Sequence, residues 1–258
     1  MTHDINIEII SNGSMQYAEV TLDPDETVIA EAGAVIYLED EISYEVKMGD
    51  GSNPNQTLLN SIFSSGKRLL LGEGLFLSHF TNNSKQKRKL GFAGNIPGSI
   101  IVADLAKMGG NLICQRDAFL LAGFGTSISI EFIKKFGVGF FGGEGFILQK
   151  ICGDGKVALF AGGQIIKKQL NGECLRVDAG CVVGFTENIN YDIEKAGNLG
   201  SMIFGGEGLF FAKLQGHGTV LLQTVPASKM SEALISNAGG NSANKEGIGN
   251  LGNIFDRL

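Results

Sequence analysis

Tryptophan is absent from the 258-residue chain, and there are only 4 prolines, 4 cysteines and 3 histidines. Each shortage excludes something. The 38 glycines fall in no Gly-X-Y period, so a collagen helix is out. Cys114, Cys152, Cys174 and Cys181 contain no CxxC pair, which argues against a zinc knuckle, a redox motif or a disulfide framework. Cys174 and Cys181, seven apart in apolar surroundings, are expected to be buried free thiols. No apolar run approaches the roughly 18–20 residues of a membrane-spanning helix. Met1-Thr2-His3-Asp4 has no basic segment leading into an apolar one, so no secretory leader is expected. Lys and Arg total 21 against 27 Asp and Glu, a net charge of −6, and broad binding to a phosphate backbone is disfavoured. A soluble, reduced, cytoplasmic protein is the expectation.

What the chain does have is repetition. Three glycine turns carry one glutamate each and run into an apolar stretch. They are Gly72-Glu73-Gly74 before Leu75-Phe76-Leu77, Gly143-Glu144-Gly145 before Phe146-Ile147-Leu148, and Gly206-Glu207-Gly208 before Leu209-Phe210-Phe211. Upstream of each lies an acid followed by alanine: Glu31-Ala32, Asp117-Ala118 and Asp178-Ala179. Eleven residues beyond each acid, an alternating run begins at Ile42, Ile128 and Ile189. Period-two alternation marks a half-buried strand.

Hairpins are expected after the strands that follow the glycine turns. Gly153-Asp154-Gly155 and Gly216-His217-Gly218 supply short tips. In the first copy the tip is longer, Thr81 to Lys89, with the strand resuming at Ile100-Ile101-Val102, and an insertion runs from about Met48 to Gly66. Thr57 to Phe63 could form a helical turn or two, and no amphipathic helix beyond two turns is apparent. These signals predict an all-β fold of three fused β-sandwich-like repeats: 1–84 with loop insertions, 85–152 and 153–230, then a flexible tail over 231–258.

The three Gly-Glu-Gly turns, Leu175-Arg176-Val177-Asp178-Ala179-Gly180, Gly109-Gly110-Asn111-Leu112-Ile113-Cys114-Gln115 and the segment from Gly216 to Pro226 together resemble the altered-inheritance-of-mitochondria proteins. These form a bacterial and fungal family of tryptophan-RNA-binding-attenuator-like fold. The resemblance covers about Ile5 to Pro226. It implies a β-sandwich-like unit of the double-stranded β-helix type, repeated along the chain and often assembled into a ring-like oligomer, a trimer being one option. Fungal members are associated with mitochondrial inner-membrane organisation, and the family brings no defined active site. Fold follows from such a likeness and function does not.

Residues that could carry chemistry are few. Glycines 72, 74, 143, 145, 206 and 208 are expected to serve backbone turns, with Glu73, Glu144 and Glu207 accepting turn amides. Three converging carboxylates would instead make a cation or acid–base site. Glu45, Glu131 and Asp192 are candidates to pair with His79, Lys150 and Lys213. Lys85, Lys87, Arg88 and Lys89 form a basic run that is either a solvated tip or a partner surface. Phe136 to Phe141 is an apolar run expected to be buried strand. No catalytic, cofactor or metal residue is nominated. The expected function is a non-enzymatic, self-associating scaffold or binding protein, without cofactor or nucleic acid. A small-ligand-binding β-helix protein with weak enzymatic activity and a peripheral membrane protein are the alternatives.

Overall fold

The computed structural model describes residues 2–13, 15–48, 76–134, 146–195 and 210–238. They are mostly antiparallel strand. The first strands are β1 (Asn6–Asn12), β2 (Met15–Leu22), β3 (Thr27–Glu31), β4 (Val35–Leu38), β5 (Ile42–Met48), β6 (Phe76–Asn82) and β7 (Arg88–Phe92). Next come β8 (Gly98–Asp104), β9 (Asn111–Gln115), β10 (Phe119–Gly123), β11 (Ser127–Lys134), β12 (Phe146–Cys152) and β13 (Lys156–Gly162). The last strands are β14 (Ile165–Asp178), β15 (Val182–Thr186), β16 (Ile189–Lys195) and β17 (Phe210–Gln223), followed by helix α1 (Ala227–Ala238). Alternation does what it should in β2, where Ala18, Val20 and Leu22 are buried and their neighbours are not. In β10 every residue is buried, as in a strand covered on both faces.

One set of four pairings occurs three times. β7 pairs with β2 and β4 while β6 pairs with β3 and β5. In the same arrangement, β13 pairs with β8 and β10 while β12 pairs with β9 and β11. In the third set β14 and β17 are each one long strand. Their outer halves pair from Ile165↔Gln223 to Asn171↔His217 and their inner halves from Cys174↔Gln215 to Asp178↔Phe211, with β15 and β16 also on β17. Even an irregularity recurs: the register shifts between Val35 and Tyr37, between Phe119 and Leu121, and between Val182 and Gly184. Neighbouring sets are joined by β3–β10 and β9–β15. Sheets of four, six and seven strands result. The pairings span 15–92, 98–162 and 165–223, so boundaries at 84/85 and 152/153 fall between β6 and β7 and between β12 and β13.

Three expectations are corrected. The first hairpin is not extended to Ile100, because the strand resumes at Arg88 and Ile100 to Val102 belong to β8 of the next set. Gly216 to Gly218 is not a hairpin tip but the middle of β17. Gly216 bends the strand at φ +146°, where a Cβ would meet the Asn188 carbonyl at 2.2 Å, and a bulge around Gly172 bends β14 alongside it. Finally, α1 takes 12 residues that include the start of the expected tail. Pro226 stands just before it, a residue suited to helix entry. The three Gly-Glu-Gly turns, the insertion with its Thr57 to Phe63 segment and the Phe136 to Phe141 run lie outside the described residues.

The core is built across the sets rather than within each. One cluster holds Leu22, Phe80, Leu90, Phe92 and Leu120, and another Leu77, Leu112, Phe119, Ile151 and Val183. A third holds Phe146, Leu148, Phe185 and Leu214.

Candidate functional site

The residues that end β3, β9 and β14 are Glu31, Gln115 and Asp178, which pair with Leu77, Leu148 and Phe211 respectively. Each is followed by a tight turn. Gly33 serves the first at φ +84°, and 3-10 turns Arg116–Ala118 and Ala179–Cys181 serve the others. The structural counterpart of Glu31 and Asp178 is therefore Gln115 and not Asp117, which sits two residues on, inside the turn. By the same shift Thr126, and not Ile128, stands eleven residues beyond. The loop between β10 and β11 and a register shift between Ile130 and Phe132 absorb the difference.

These turns border a cleft of about 440 Å³. Glu31, Gln115 and Asp117 face it, together with Phe119, Phe160, Gln223 and the first turn of α1. Gln223 ties two sets together at its edge: its Nε2 donates to the Gly180 carbonyl at 2.8 Å and its Oε1 accepts from the Gly162 amide at 2.8 Å. Asp178 accepts from the Gly180 amide at 2.9 Å and pairs with Lys229 of α1 at 2.7 Å, which fastens the helix to the third set. The Asp178 bond holds the Lys229 ammonium above its ordinary pKa. The neighbouring Cys181 thiol is pushed up by burial. Gln115 is only 7% exposed, and its side chain makes no hydrogen bond among the described residues. Neither Gln115 nor Gln223 was visible as a site residue; only the eleven-residue offset, slid back by two, could have found Gln115.

The other nominated residues are placed differently. In the basic run, Lys87 pairs with Asp23 at 2.9 Å, Arg88 with Glu41 and Lys89 with Glu19. Glu19 also accepts from the Tyr37 hydroxyl. These bonds hold Lys87 and Lys89 above and Glu19 below their ordinary pKa values. Lys85 stands at the exposed tip. Three of these four cations are thus neutralised by their own fold.

Of the nominated ion pairs, Glu45 lies opposite His79 and Asp192 opposite Lys213 in register. Glu45 bonds to Lys47 at 3.0 Å, Lys150 to Glu187 of the third set at 2.6 Å, and Lys213 approaches Glu194 at 3.9 Å. Lys150 thus takes Glu187 in place of Glu131, and the pair bridges two sets. Exposed pairs of this type are worth roughly 0–1 kcal/mol, so they set register more than stability. His79 is buried, edge-on to Phe124 at 5.9 Å, and His217 lies within β17. All four cysteines are free, but Cys174 is exposed and Cys181 only half-buried, against the expectation of buried thiols there; burial pushes the Cys114 thiol far up. Among the described residues no helix is long and apolar enough to cross a membrane, and no cluster of His, Cys, Asp and Glu could hold a metal.

The architecture is that of an all-β protein of several antiparallel sheets. The chain belongs to the mitochondrial biogenesis AIM24 family, whose model matches residues 7–225. It is similar to an uncharacterized protein of Streptococcus pyogenes serotype M6, 25% identical over 224 residues, covering 86% of this chain and 87% of that protein. The crystal structure of a Streptococcus pyogenes protein superposes with a TM-score of 0.70 at 21% identity, covering 90% of this chain and 99% of the other. At that identity the likeness speaks for the fold alone.

Proposed function

We propose that the chain is three fused copies of one attenuator-protein-like β unit, spanning about 15–92, 98–162 and 165–223. Its role is that of a non-enzymatic cytoplasmic scaffold that assembles with further copies of itself, without nucleic acid, into a ring-like oligomer. One observation carries this reading. The edges unpaired in all three sets, such as β5 and β11, are simply ends of sheets. The outer edges of β4 and of the inner half of β14 are different. Their counterparts are the strands that join the sets, β10 and β15 on one side and β3 and β9 on the other. Among the described residues β4 and inner β14 have no such neighbour.

The side chains tell the same story. Ile36, Tyr37 and Leu38 are 53%, 37% and 41% exposed, whereas their counterparts Leu120 to Ala122 and Val183 to Phe185 are buried. An exposed apolar edge is a template for pairing. Carrying the observed registers Ala30↔Leu121 and Cys114↔Gly184 forward one step sets Val177 of one copy against Tyr37 of the next. Arg176 then faces Leu38. Such a head-to-tail contact closes into a ring when the rotation per copy allows.

The test uses two variants that block one edge each. Ile36→Lys with Leu38→Lys charges β4, and Val177→Lys charges β14. Light scattering coupled to size exclusion is expected to find the parent multimeric and each variant monomeric, with circular dichroism checking that both stay folded. Mixed together, they retain one good edge each and form a dimer that grows no further. A monomeric parent, variants that assemble normally, or a mixture that stays monomeric would each overturn the proposal.

A further inference from the structure

The segment before β1 lies across the joint between the first and second sets. Asp154, in the Gly153-Asp154-Gly155 turn after β12, accepts from the Thr2 amide at 3.1 Å. Lys156 of β13 reaches Asp4 at 3.3 Å and the Ile5 carbonyl at 3.4 Å. Ile5 itself is fully buried in the cluster of Leu22 and Phe80. Glycines let the segment lie close. A Cβ on Gly123 would strike the His3 carbonyl, and one on Gly155 would meet the Thr2 methyl at 2.6 Å.

His3 closes a circuit at the end of the β3–β10 pairing. The Phe124 amide donates to the Thr27 carbonyl at 3.0 Å, and the His3 amide donates to the Phe124 carbonyl at 2.8 Å. The Thr27 amide then donates to Nδ1 of His3 at 3.0 Å. A ring nitrogen that accepts carries no proton, so this arrangement requires a neutral imidazole with its hydrogen on Nε2. Protonation would set N–H against N–H and take away the Thr27 amide's acceptor. Imidazole ordinarily changes charge between about pH 5 and 8, and His3 is only half-buried, so protons reach it from solvent.

The charged and titratable groups around His3 are Glu26 beside Thr27, Asp4 with Lys156, and Asp154. His79 of β6 meets the same Phe124 ring that His3 meets edge-on at 5.5 Å. Carboxylates ordinarily titrate near pH 4, below the imidazole range, and the bonds from Thr2 hold Asp154 lower still.

We infer that Thr2 to Asp4 form a pH-released strap. Neutral His3 clasps the joint between the first two sets, and protonated His3 lets the segment go. The clasped state excludes a proton, so clasping is favoured as pH rises and lost as it falls. This does not rest on self-association, since every group belongs to one chain.

Hydrogen exchange resolved by NMR on the full chain, at about pH 7.5 and about pH 5 to bracket the imidazole range, is the test. Protection factors divide out the intrinsic effect of pH on exchange. Those of the His3 and Thr27 amides are expected to fall at least tenfold at the lower pH, while those of β9 hold. His3→Asn, whose Oδ1 can accept as Nδ1 does but takes up no proton, should keep the protection at both values. His3→Ala should lack it at both, with unchanged circular dichroism. The nitrogen spectrum of the His3 ring at the higher pH should show the Nε2–H tautomer. An Nδ1–H tautomer or protection indifferent to pH would overturn the inference. So would an equal loss in His3→Asn, which would assign the effect to His79 or the carboxylates.

Discussion

Phe185→Ala is expected to lower the stability of the protein by about 3–5 kcal/mol, the usual cost of emptying an aromatic site in a core. Phe185 is fully buried on β15, at the seam between the second and third sets. Its ring stacks on Tyr191 at 5.6 Å with an interplanar angle of 11°. Tyr191 in turn stacks on Phe146 of β12 at 5.5 Å and meets Phe132 edge-on. Removing Phe185 opens a void where two sets meet, and the rings on either side are held by separate strands and cannot collapse into it. Against a total of about 5–15 kcal/mol for a typical domain, that is a large share. Equilibrium urea unfolding measures it; a loss below about 1 kcal/mol would mean that the seam is not packed as described.

Asn82→Ala is expected to cost about 2–4 kcal/mol, through polar groups left unmet rather than through lost volume. Asn82 is completely buried at the end of β6. Its Nδ2 donates to the carbonyls of Leu22 at 3.0 Å and Gln86 at 2.8 Å, and its Oδ1 accepts from the amide and hydroxyl of Ser84 at 3.0 and 2.8 Å. The side chain therefore holds together the tip that carries Lys85, Lys87 and Arg88. Alanine removes all four bonds at once. The melting temperature should fall, and hydrogen exchange at Ser84 and Gln86 should quicken more than in β2. Unchanged exchange there would contradict the role given to Asn82.

Much of the strand content is legible in the sequence because period-two alternation is local. Ile42, Ile128 and Ile189 do lie on corresponding strands, β5, β11 and β16, and Leu77, Leu148 and Phe211, each three residues past a Gly-Glu-Gly, pair with Glu31, Gln115 and Asp178. What the sequence hides are the places where residues are absorbed without changing the pattern. A two-residue slip in the second set replaces Asp117 by Gln115, since an acid-alanine pair looks the same wherever it stands. Gly216-His217-Gly218 reads as a turn, but whether glycine turns a chain or only bends a strand depends on a partner strand bulging with it. The basic run reads as a free surface because its partners Asp23, Glu41 and Glu19 are far away in sequence. Helix α1 is short of apolar residues at helical spacing and is held partly by Lys229 on Asp178, a contact made only once the sheets exist. The cleft is hidden for the same reason, as its walls come from all three sets.

In the proposed assembly the outer edges of β4 and inner β14 pair between copies, in the register of β3–β10 and β9–β15. In a Cys174→Ser background, one preparation carries Tyr37→Cys and another Val177→Cys. Residues opposed across an antiparallel pair lie about 4.5–5.5 Å apart at Cα, within reach of a disulfide. After mixing and mild oxidation, non-reducing electrophoresis should reveal a covalent dimer for this pair and far less when Val177→Cys is replaced by Leu175→Cys. Equal yields at both positions, no dimer at all, or closure of the bridge inside a single chain carrying both cysteines would contradict the account.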